Sequence, residues 1–587
     1  MRIPHACLDI SAGIRRLVFD TRVFGLLLAI CIGVLSGYGA ILFHHVLQWA
    51  QYVFYQQRGD ILGFAAAIPG WRLALTPALG GLIVGLVVHF GASEARGHGV
   101  PEVMTALALK GGRIRKRVAL IKILASAVCI GSGGSSGREG PMVQIGSSIG
   151  STIGQYFRVP VMEQRTMVGC GAAAGIAATF NAPIAGVLFA LEVLVGDFGL
   201  ASFSPVVLSS VTATAISRHY WGDLPTFQLP LYEIRSLWEF GIYPLLGIFA
   251  ALCAVAFIST LYKAEDLFAK LPLPNWLKPA IGGLLLGGII LQWPHAFGVG
   301  YGGMNMALTG QLSGLMLLTL IAVKIMATSC TLGSGGSGGI FAPSLFIGAM
   351  CGGFFGWAAG QLFPAVAAPS GAYALVGMGA VVAGTTHAPI TAILIIFEMT
   401  GDYKIILPMM ITCIIATLVA SSLREGSIYT IKLRMRGIDI SGGMEQNILR
   451  NLRVGRFMTP NPAIIPQSMP LIDIIATFRN ADVSYLHVTD ADENLTGIIS
   501  FRDIRPIMHE EALHRLVIAQ DVATRDVVTV RPDDSIQSAL RVMSTHGISQ
   551  LPVVRHGADR RVIGTLRQKD VLAAYDKAVI RREIEDS

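Results

Sequence analysis

Residues 122–146 read KILASAVCIGSGGSSGREGPMVQIG and residues 324–348 read KIMATSCTLGSGGSGGIFAPSLFIG, two versions of one text at a constant offset of 202. Each opens on Lys-Ile, runs through an apolar segment, reaches Gly-Ser-Gly-Gly-Ser, and then a proline (Pro141, Pro343) near the start of a second apolar segment. Further on, Asn181-Ala182-Pro183 with Glu192 matches His387-Ala388-Pro389 with Glu398 at an offset of 206. Repetition at this distance marks a duplicated half. When duplicated halves carry apolar segments interrupted by glycine and proline at matching positions, the pattern points to a binding site near the middle of a membrane, where the halves meet.

The chemistry of the two loops follows from their backbone. A glycine-serine loop that feeds a proline into the first turn of a helix leaves several N–H groups without intrahelical acceptors, at the positive end of the helix dipole. Such an end takes anions. Glycine keeps side chains out of the way, and partial charges suit an ion that has to leave again. A phosphate-cradling loop would need Gly-Lys-Ser/Thr, whereas Arg138-Glu139 follows Gly137, and a carboxylate there would repel phosphate. The plainer alternative is a glycine-rich crossing of helices. Glu139, an ionisable residue in an apolar stretch, is a functional candidate. Ionised, it would compete for the anion site; protonated, it would leave. The competing reading is an ion pair with Arg138, although neighbouring helix residues point in different directions.

Composition agrees with lipid. Of the 587 residues, 53% are hydrophobic and 14% charged, with a mean hydropathy of +0.60, against about 25% charged residues in soluble domains. The charges divide the chain, with 39 Asp, Glu, Lys and Arg residues in positions 1–420 and 43 in the remaining 167. Apolar runs such as Val23–Leu47, Leu312–Leu320 and Ile405–Leu423 approach the ~20 residues of a bilayer span. Shorter, glycine-rich ones must be buried in protein or line a polar cavity. Arg15, Arg16 and Arg22 before the first run, the cluster Lys110, Arg113, Arg115, Lys116 and Arg117, and Lys432, Arg434 and Arg436 after the last run mark cytosolic sides, so both termini are expected in the cytosol. The first run has no small-residue cleavage site and reads as a retained helix. The net charge of +8 thus reads as topology, not nucleic-acid binding. Cys7, Cys31, Cys129, Cys170, Cys253, Cys330, Cys351 and Cys413 show no paired spacing, which argues against disulfides and a metal site.

These residues resemble the CLC family of chloride channels and chloride/proton exchangers. Its three signature loops read here as Gly97-His98-Gly99-Val100-Pro101, Gly137-Arg138-Glu139-Gly140-Pro141 and Gly339-Ile340-Phe341-Ala342-Pro343. The resemblance, over about residues 20–435, implies an all-α homodimer in which each subunit has its own pore, built from two inverted halves of tilted and broken helices. It implies that Glu139 is the external gate, that the amides of Ile340 and Phe341 bind the central anion with help from the first two loops at His98, Gly99 and Gly137, and that the Tyr429 hydroxyl closes the inner side. Position alone reads Tyr429 as an interfacial anchor.

Two departures matter. His98 stands where the family carries serine or proline; an imidazole can donate one N–H, or pack beside the pathway. Val193 stands where exchangers keep a second glutamate that passes protons inward. Glu192, one residue earlier, lies about 100° away on a regular helix and is expected to pair structurally. Passive conduction follows as the leading expectation, with exchange through His98 or water as its rival.

From Phe457 the text repeats again: Phe457–Asp490 aligns with Val522–Arg555 at an offset of 65, short alternating strands between helical stretches. The two copies resemble a pair of CBS domains. CBS pairs bind adenine nucleotides (ATP, ADP or AMP) through Gly-x-x-Ser/Thr-x-x-Asp, matched by Gly497, Ser500 and Asp503; the second copy has Gly564 and Asp570 but Arg567 in the hydroxyl position. Helix capping would use the same Ser and Asp. The expected organisation is a cytosolic segment 1–22, a membrane domain 23–435 with repeats at about 23–220 and 235–425, a linker 436–452, and CBS domains at 453–512 and 518–580. No cofactor is required for transport, chloride and similar small anions are the expected cargo, and a bacterial chain would lie in the inner membrane. A CBS-regulated cation transporter would need carbonyl rings or clustered acids, and an enzyme a nucleophile or metal set; the core pattern offers neither.

Overall fold

The computed structural model describes residues 21–59, 61–63, 68–223, 227, 236–438, 452–480, 483–555 and 560–571. Nearly all of the expected N-terminal segment 1–22, most of the linker 436–452 and the end of the second CBS stretch lie outside these residues. The described chain divides into two units, one running to Ile438 and the other beginning at Asp439.

The first unit is helical because its apolar segments can satisfy their backbone groups only within themselves. Its first half holds α1 (Thr21–Tyr55), α2 (Gly70–Phe90), α3 (Val100–Leu109), α4 (Arg117–Gly131), α5 (Glu139–Tyr156), α6 (Val161–Phe180), α7 (Pro183–Phe189) and α8 (Leu200–Trp221). The second holds α9 (Glu239–Lys270), α10 (Lys278–Gln292), α11 (Tyr301–Leu308), α12 (Gly314–Gly333), α13 (Phe341–Leu362), α14 (Ser370–Thr386), α15 (Pro389–Thr400) and α16 (Ile406–Leu423), with α17 (Thr430–Met435) closing the unit. Element for element, α1–α8 correspond to α9–α16. Among the described residues, seven helices are long and apolar enough to cross a membrane; α3, α7, α10, α14 and α15 are shorter apolar pieces, as the glycine and proline pattern predicts, while α5 and α6 have the length but are rich in glycine, alanine and serine.

The halves are inverted, and the packing shows it directly. A Cβ on Gly81 would meet Pro279 O at 2.1 Å, and one on Gly283 would meet Pro77 O at 2.1 Å. Both pairs are equivalents at the offset of 202, and they touch reciprocally as α2 runs antiparallel to α10. Only a two-fold relation between the copies gives that exchange. Within each half a second glycine contact repeats: Gly146 against Gly171 O at 2.0 Å and Gly348 against Gly377 O at 2.4 Å. Small residues here bring backbones into contact where lipid provides no hydrophobic drive between helices.

In the second unit, β2 (Ile464–Pro466) pairs parallel with β3 (Tyr485–Thr489), which pairs antiparallel with β4 (Leu495–Ser500). The other sheet is β1 (Thr459–Pro460), β6 (Val562–Arg567) and β5 (Gln550–Val554), in that order. The two sheets exchange segments. Val454, Phe457 and Met458 pack into the core of the second sheet with Leu551, Val553 and Leu566, while Ala519 and Val522 pack into the first with Leu486 and Ile499.

Candidate anion site

Both glycine-serine loops end at the start of a buried helix, α5 at Glu139 and α13 at Phe341. The loops are joined at the repeat axis by a reciprocal pair of backbone bonds. Gly137 N donates to Gly339 O at 2.8 Å and Gly339 N donates to Gly137 O at 2.6 Å. Gly137 and Gly339 are equivalents at the offset of 202, so the two-fold passes between them. Side chains reinforce the junction: Ser126 and Ser337 hydroxyls lie 2.9 Å apart, and Ser135 N donates to Thr331 Oγ1 at 3.2 Å. The first signature loop adds a third edge, with Gly97 N donating to Gly336 O at 3.0 Å and Gly338 N to Gly97 O at 3.3 Å.

Sequence-predicted site residues come together at this junction. Ile340 and Phe341 are buried, and among the described residues their N–H groups have no acceptor in the protein. Glu139 is 2% exposed, and its Oε2 accepts from Ala342 N, the next amide of α13, at 3.4 Å; among the described residues Oε1 has no partner. The Glu139 carboxylate therefore lies across the repeat axis, at the helix end supplied by the other half. A Cβ on Gly137 would fall 1.9 Å from Glu139 Oε2, so glycine there is what makes room for this pose. Gly99 has a φ of +84° and lies against Gly140 O, where a Cβ would sit at 2.9 Å; a bulkier residue would be strained and would push the first loop off the second.

His98 is buried at 3% exposure, and among the described residues neither ring nitrogen has a hydrogen-bond partner. Its ring centroid is 6.0 Å from that of Tyr429, which also contacts Phe189 at 6.4 Å. Tyr429 is 2% exposed, and Ile428 N before it donates to Thr385 O at 2.9 Å, which fixes the turn into α17. The purely interfacial reading of Tyr429 is thus replaced by a buried position beside His98.

The ion pair considered between Arg138 and Glu139 is not formed. Arg138 instead places its guanidinium 5.5 Å from the Tyr301 ring centroid, and lines a cavity of about 240 Å³ with His44, Asn181, Ser217 and Trp221. The regular-helix argument for Val193 also needs correction, because Ala190–Val195 is π-helical and the 100° step does not apply within it. The Glu192 side chain crosses the repeat axis: Oε2 accepts from Thr391 N at 2.8 Å and from Thr391 Oγ1 at 2.6 Å, capping α15. Its equivalent Glu398 caps α7, accepting from Ile184 N at 2.9 Å and Ala185 N at 2.7 Å.

Sequence reading missed the buried lysines. Lys122 Nζ donates to Ala95 O at 3.0 Å and Gly97 O at 2.8 Å; Lys324 Nζ donates to Ala296 O at 3.1 Å and Gly298 O at 2.9 Å. Lys122 on α4 holds carbonyls of the segment that leads into α3, and Lys324 on α12 holds those of the segment that leads into α11, so those carbonyl dipoles are engaged. The signal was present as Ala-x-Gly-x-Gly at 95–99 and 296–300, but at an offset of 201 instead of 202.

In the second unit, Asp503 Oδ2 accepts from Ser500 N and Ser500 Oγ, both at 2.7 Å, which is the capping alternative realised. Asp570 Oδ2 accepts from Arg567 N at 3.1 Å and Arg567 Nε at 3.3 Å, and Arg567 also donates to Thr459 Oγ1 at 2.9 Å.

Comparison with known proteins agrees with this geometry. The family model described as voltage gated chloride channel matches residues 80–421, and the CBS domain model matches 454–510 and 519–577. A ClcB-like chloride channel protein of Ralstonia nicotianae is 36% identical over 402 residues, 68% of this chain and 94% of that protein. The voltage-gated ClC-type chloride channel ClcB of Escherichia coli is 34% identical over 409 residues, 69% of this chain and 97% of that one. Among solved structures, a slow cyanobacterial Cl-/H+ antiporter superposes with a TM-score of 0.64 at 29% identity, covering 70% of this chain and 97% of that chain. A eukaryotic CLC transporter gives 0.58 at 20% identity over 93% of this chain and 98% of that one, a likeness of fold that extends into the second unit. The chain is a chloride-transporting integral membrane protein of the voltage-gated chloride channel (CLC) family, carrying a C-terminal pair of CBS domains.

Proposed function

We propose that the chain conducts chloride and similar small anions passively and that Glu139 is its gate. The observation that carries this reading is the Glu139 carboxylate at the N-terminus of α13, accepting from Ala342 N beside the free amides of Ile340 and Phe341. A carboxylate and a chloride ion compete for the same amides; protonation removes the competitor. His98, Gly99 and Gly137 complete the anion's surroundings, and Tyr429 bounds the inner side. Passive conduction is favoured by Val193 in the place of the exchangers' inner glutamate and by Glu192, whose oxygens are committed to α15. The protein acts as a homodimer with cytosolic termini, in the inner membrane of a bacterial cell, and its CBS pair is regulatory, with Ser500 and Asp503 offering the better adenine-nucleotide half-site and Asp570 the poorer.

Proton-coupled exchange is the second reading, favoured by the two unpartnered nitrogens of His98 and by likeness to the cyanobacterial antiporter. Liposome chloride flux tests the gate. Wild type is expected to speed up several-fold as the pH falls from about 7 toward the carboxylate range near 4, and Glu139→Ala to be fast and nearly flat; a variant as steeply acid-activated as wild type would remove Glu139 from the gate.

A further inference from the structure

A second cationic pocket borders the edge of the second glycine-serine loop at Gly335, and no step of the proposed transport uses it. It has a volume of about 150 Å³ and is lined by His89, Ser93, Arg96, Asn275, Trp276 and Gly335, among others. The Arg96 side chain makes no ion pair or hydrogen bond among the described residues, although the residue is only partly exposed. It is nonetheless held in place. Gly335 has a φ of +109°, and a Cβ there would lie 2.8 Å from Arg96 Nε, so the guanidinium rests directly on the loop backbone. The nearest carboxylate in sequence, Glu94, is taken by Arg115. The first turn of α10 begins at Lys278, next to the lining residues Asn275 and Trp276, and adds the positive end of a helix dipole.

We propose that this pocket binds a phosphate group on Arg96. A planar guanidinium packed against the loop backbone, with no carboxylate paired to it among the described residues, matches two phosphate oxygens. The surroundings fit a membrane boundary. The Glu94–Arg115 pair ties the segment to the basic loop 110–117, which lysine and arginine bias assigns to the cytosolic side. Phe90, 80% exposed and in edge contact with His89, sits beside it with Trp276 as aromatic boundary residues do. Basic pockets between spanning helices on that side hold anionic headgroups. A phospholipid headgroup and inorganic phosphate share this chemistry. Occupancy would also brace the second anion loop, because Arg96 lies on Gly335 and its neighbour Gly97 is bonded to Gly336 O.

The test uses the full chain, delipidated in neutral detergent, with Arg96→Gln and Ser93→Asp as variants. Ser93 is exposed at the rim, so a carboxylate there repels phosphate without disturbing packing. One arm measures retained phosphatidylglycerol against phosphatidylcholine by native mass spectrometry; the other measures the thermal shift with inorganic phosphate at constant ionic strength. Phosphatidylglycerol retention falling about tenfold in both variants, as loss of one charge-assisted pair entails, supports a lipid ligand. A phosphate-dependent thermal shift lost in both variants supports the free ion. If Arg96→Gln does not fold, Ser93→Asp against wild type decides. Binding of both probes that is absent in wild type, or unchanged in the variants, overturns the proposal.

Discussion

At the scale of single residues, the proposed gate calls for a glycine at 137 as much as for the glutamate at 139. The Cβ of Gly137→Ala would fall 1.9 Å from Glu139 Oε2 and 3.0 Å from Ala342 Cβ. The nearer atom ends a flexible side chain, so the carboxylate moves and the fold persists, at a cost of about 1–3 kcal/mol. Chloride flux of Gly137→Ala is therefore expected to lose most of its acid dependence, approaching Glu139→Ala. Gly140→Ala meets backbone instead, His98 O at 2.3 Å and Gly339 Cα at 2.9 Å, and is expected to lower the melting temperature more than Gly137→Ala does. The residues of this site were legible where the repeat preserved text: Glu139, Gly137, Ile340 and Phe341 stand in matched loops. The Arg138–Tyr301 contact and the Lys122 and Lys324 anchors were not, because each reaches a segment at 95–100 or 296–301 whose repeat has slipped by one residue and keeps only alanine and glycine in common.

At the scale of elements, the reciprocal caps bind the halves to each other. Glu192 serves α15 and Glu398 serves α7, each across the repeat axis. Losing a helix cap costs about 0.5–2 kcal/mol, so Glu398→Ala is expected to lower thermal stability in detergent by that amount and Glu398→Gln by less; an unchanged melting curve for both would deny the cap a stabilising role. The matching positions of Glu192 and Glu398 were visible in the sequence, but a repeat gives equivalence and not contact. In the second unit, burial holds the His487 imidazole below its ordinary value of 6.5, with its contact to Ala463 O acting the other way. Below that pH the unfolded chain binds a proton that the folded sheet refuses, so the sheet loses stability as pH falls from 6.5 toward the lowered folded value, by up to about 1.4 kcal/mol per unit. Hydrogen-exchange protection of β3 and β4 in the full chain should fall with acid in wild type and fall less in His487→Leu, where His487 N still donates to Ala463 O. The exchange of segments between the two sheets was hidden, since β1 is two residues long and carries no periodicity to read.

At the scale of the whole molecule, duplication and inversion explain why a chain with few buried acids can hold an anion. Two copies of one loop, brought face to face by the two-fold, turn two helix N-termini toward one point, and at the first position of the helix one copy has Glu139 where the other has Phe341. The duplication was evident in the sequence because loop glycines are fixed by backbone contact; the inversion was not, because antiparallel packing of α2 on α10 leaves no mark except glycines that any helix crossing would use. The proposed passive conduction draws on Val193 and on a Glu192 already committed to α15. It is tested most directly in liposomes holding the purified protein and a proton-sensitive dye, with an imposed chloride gradient and no proton gradient. With the membrane potential clamped, chloride is expected to move without driving protons uphill; sustained proton pumping that depends on the chloride gradient would contradict passive conduction and establish exchange, and its loss in His98→Ser would place the proton route at His98.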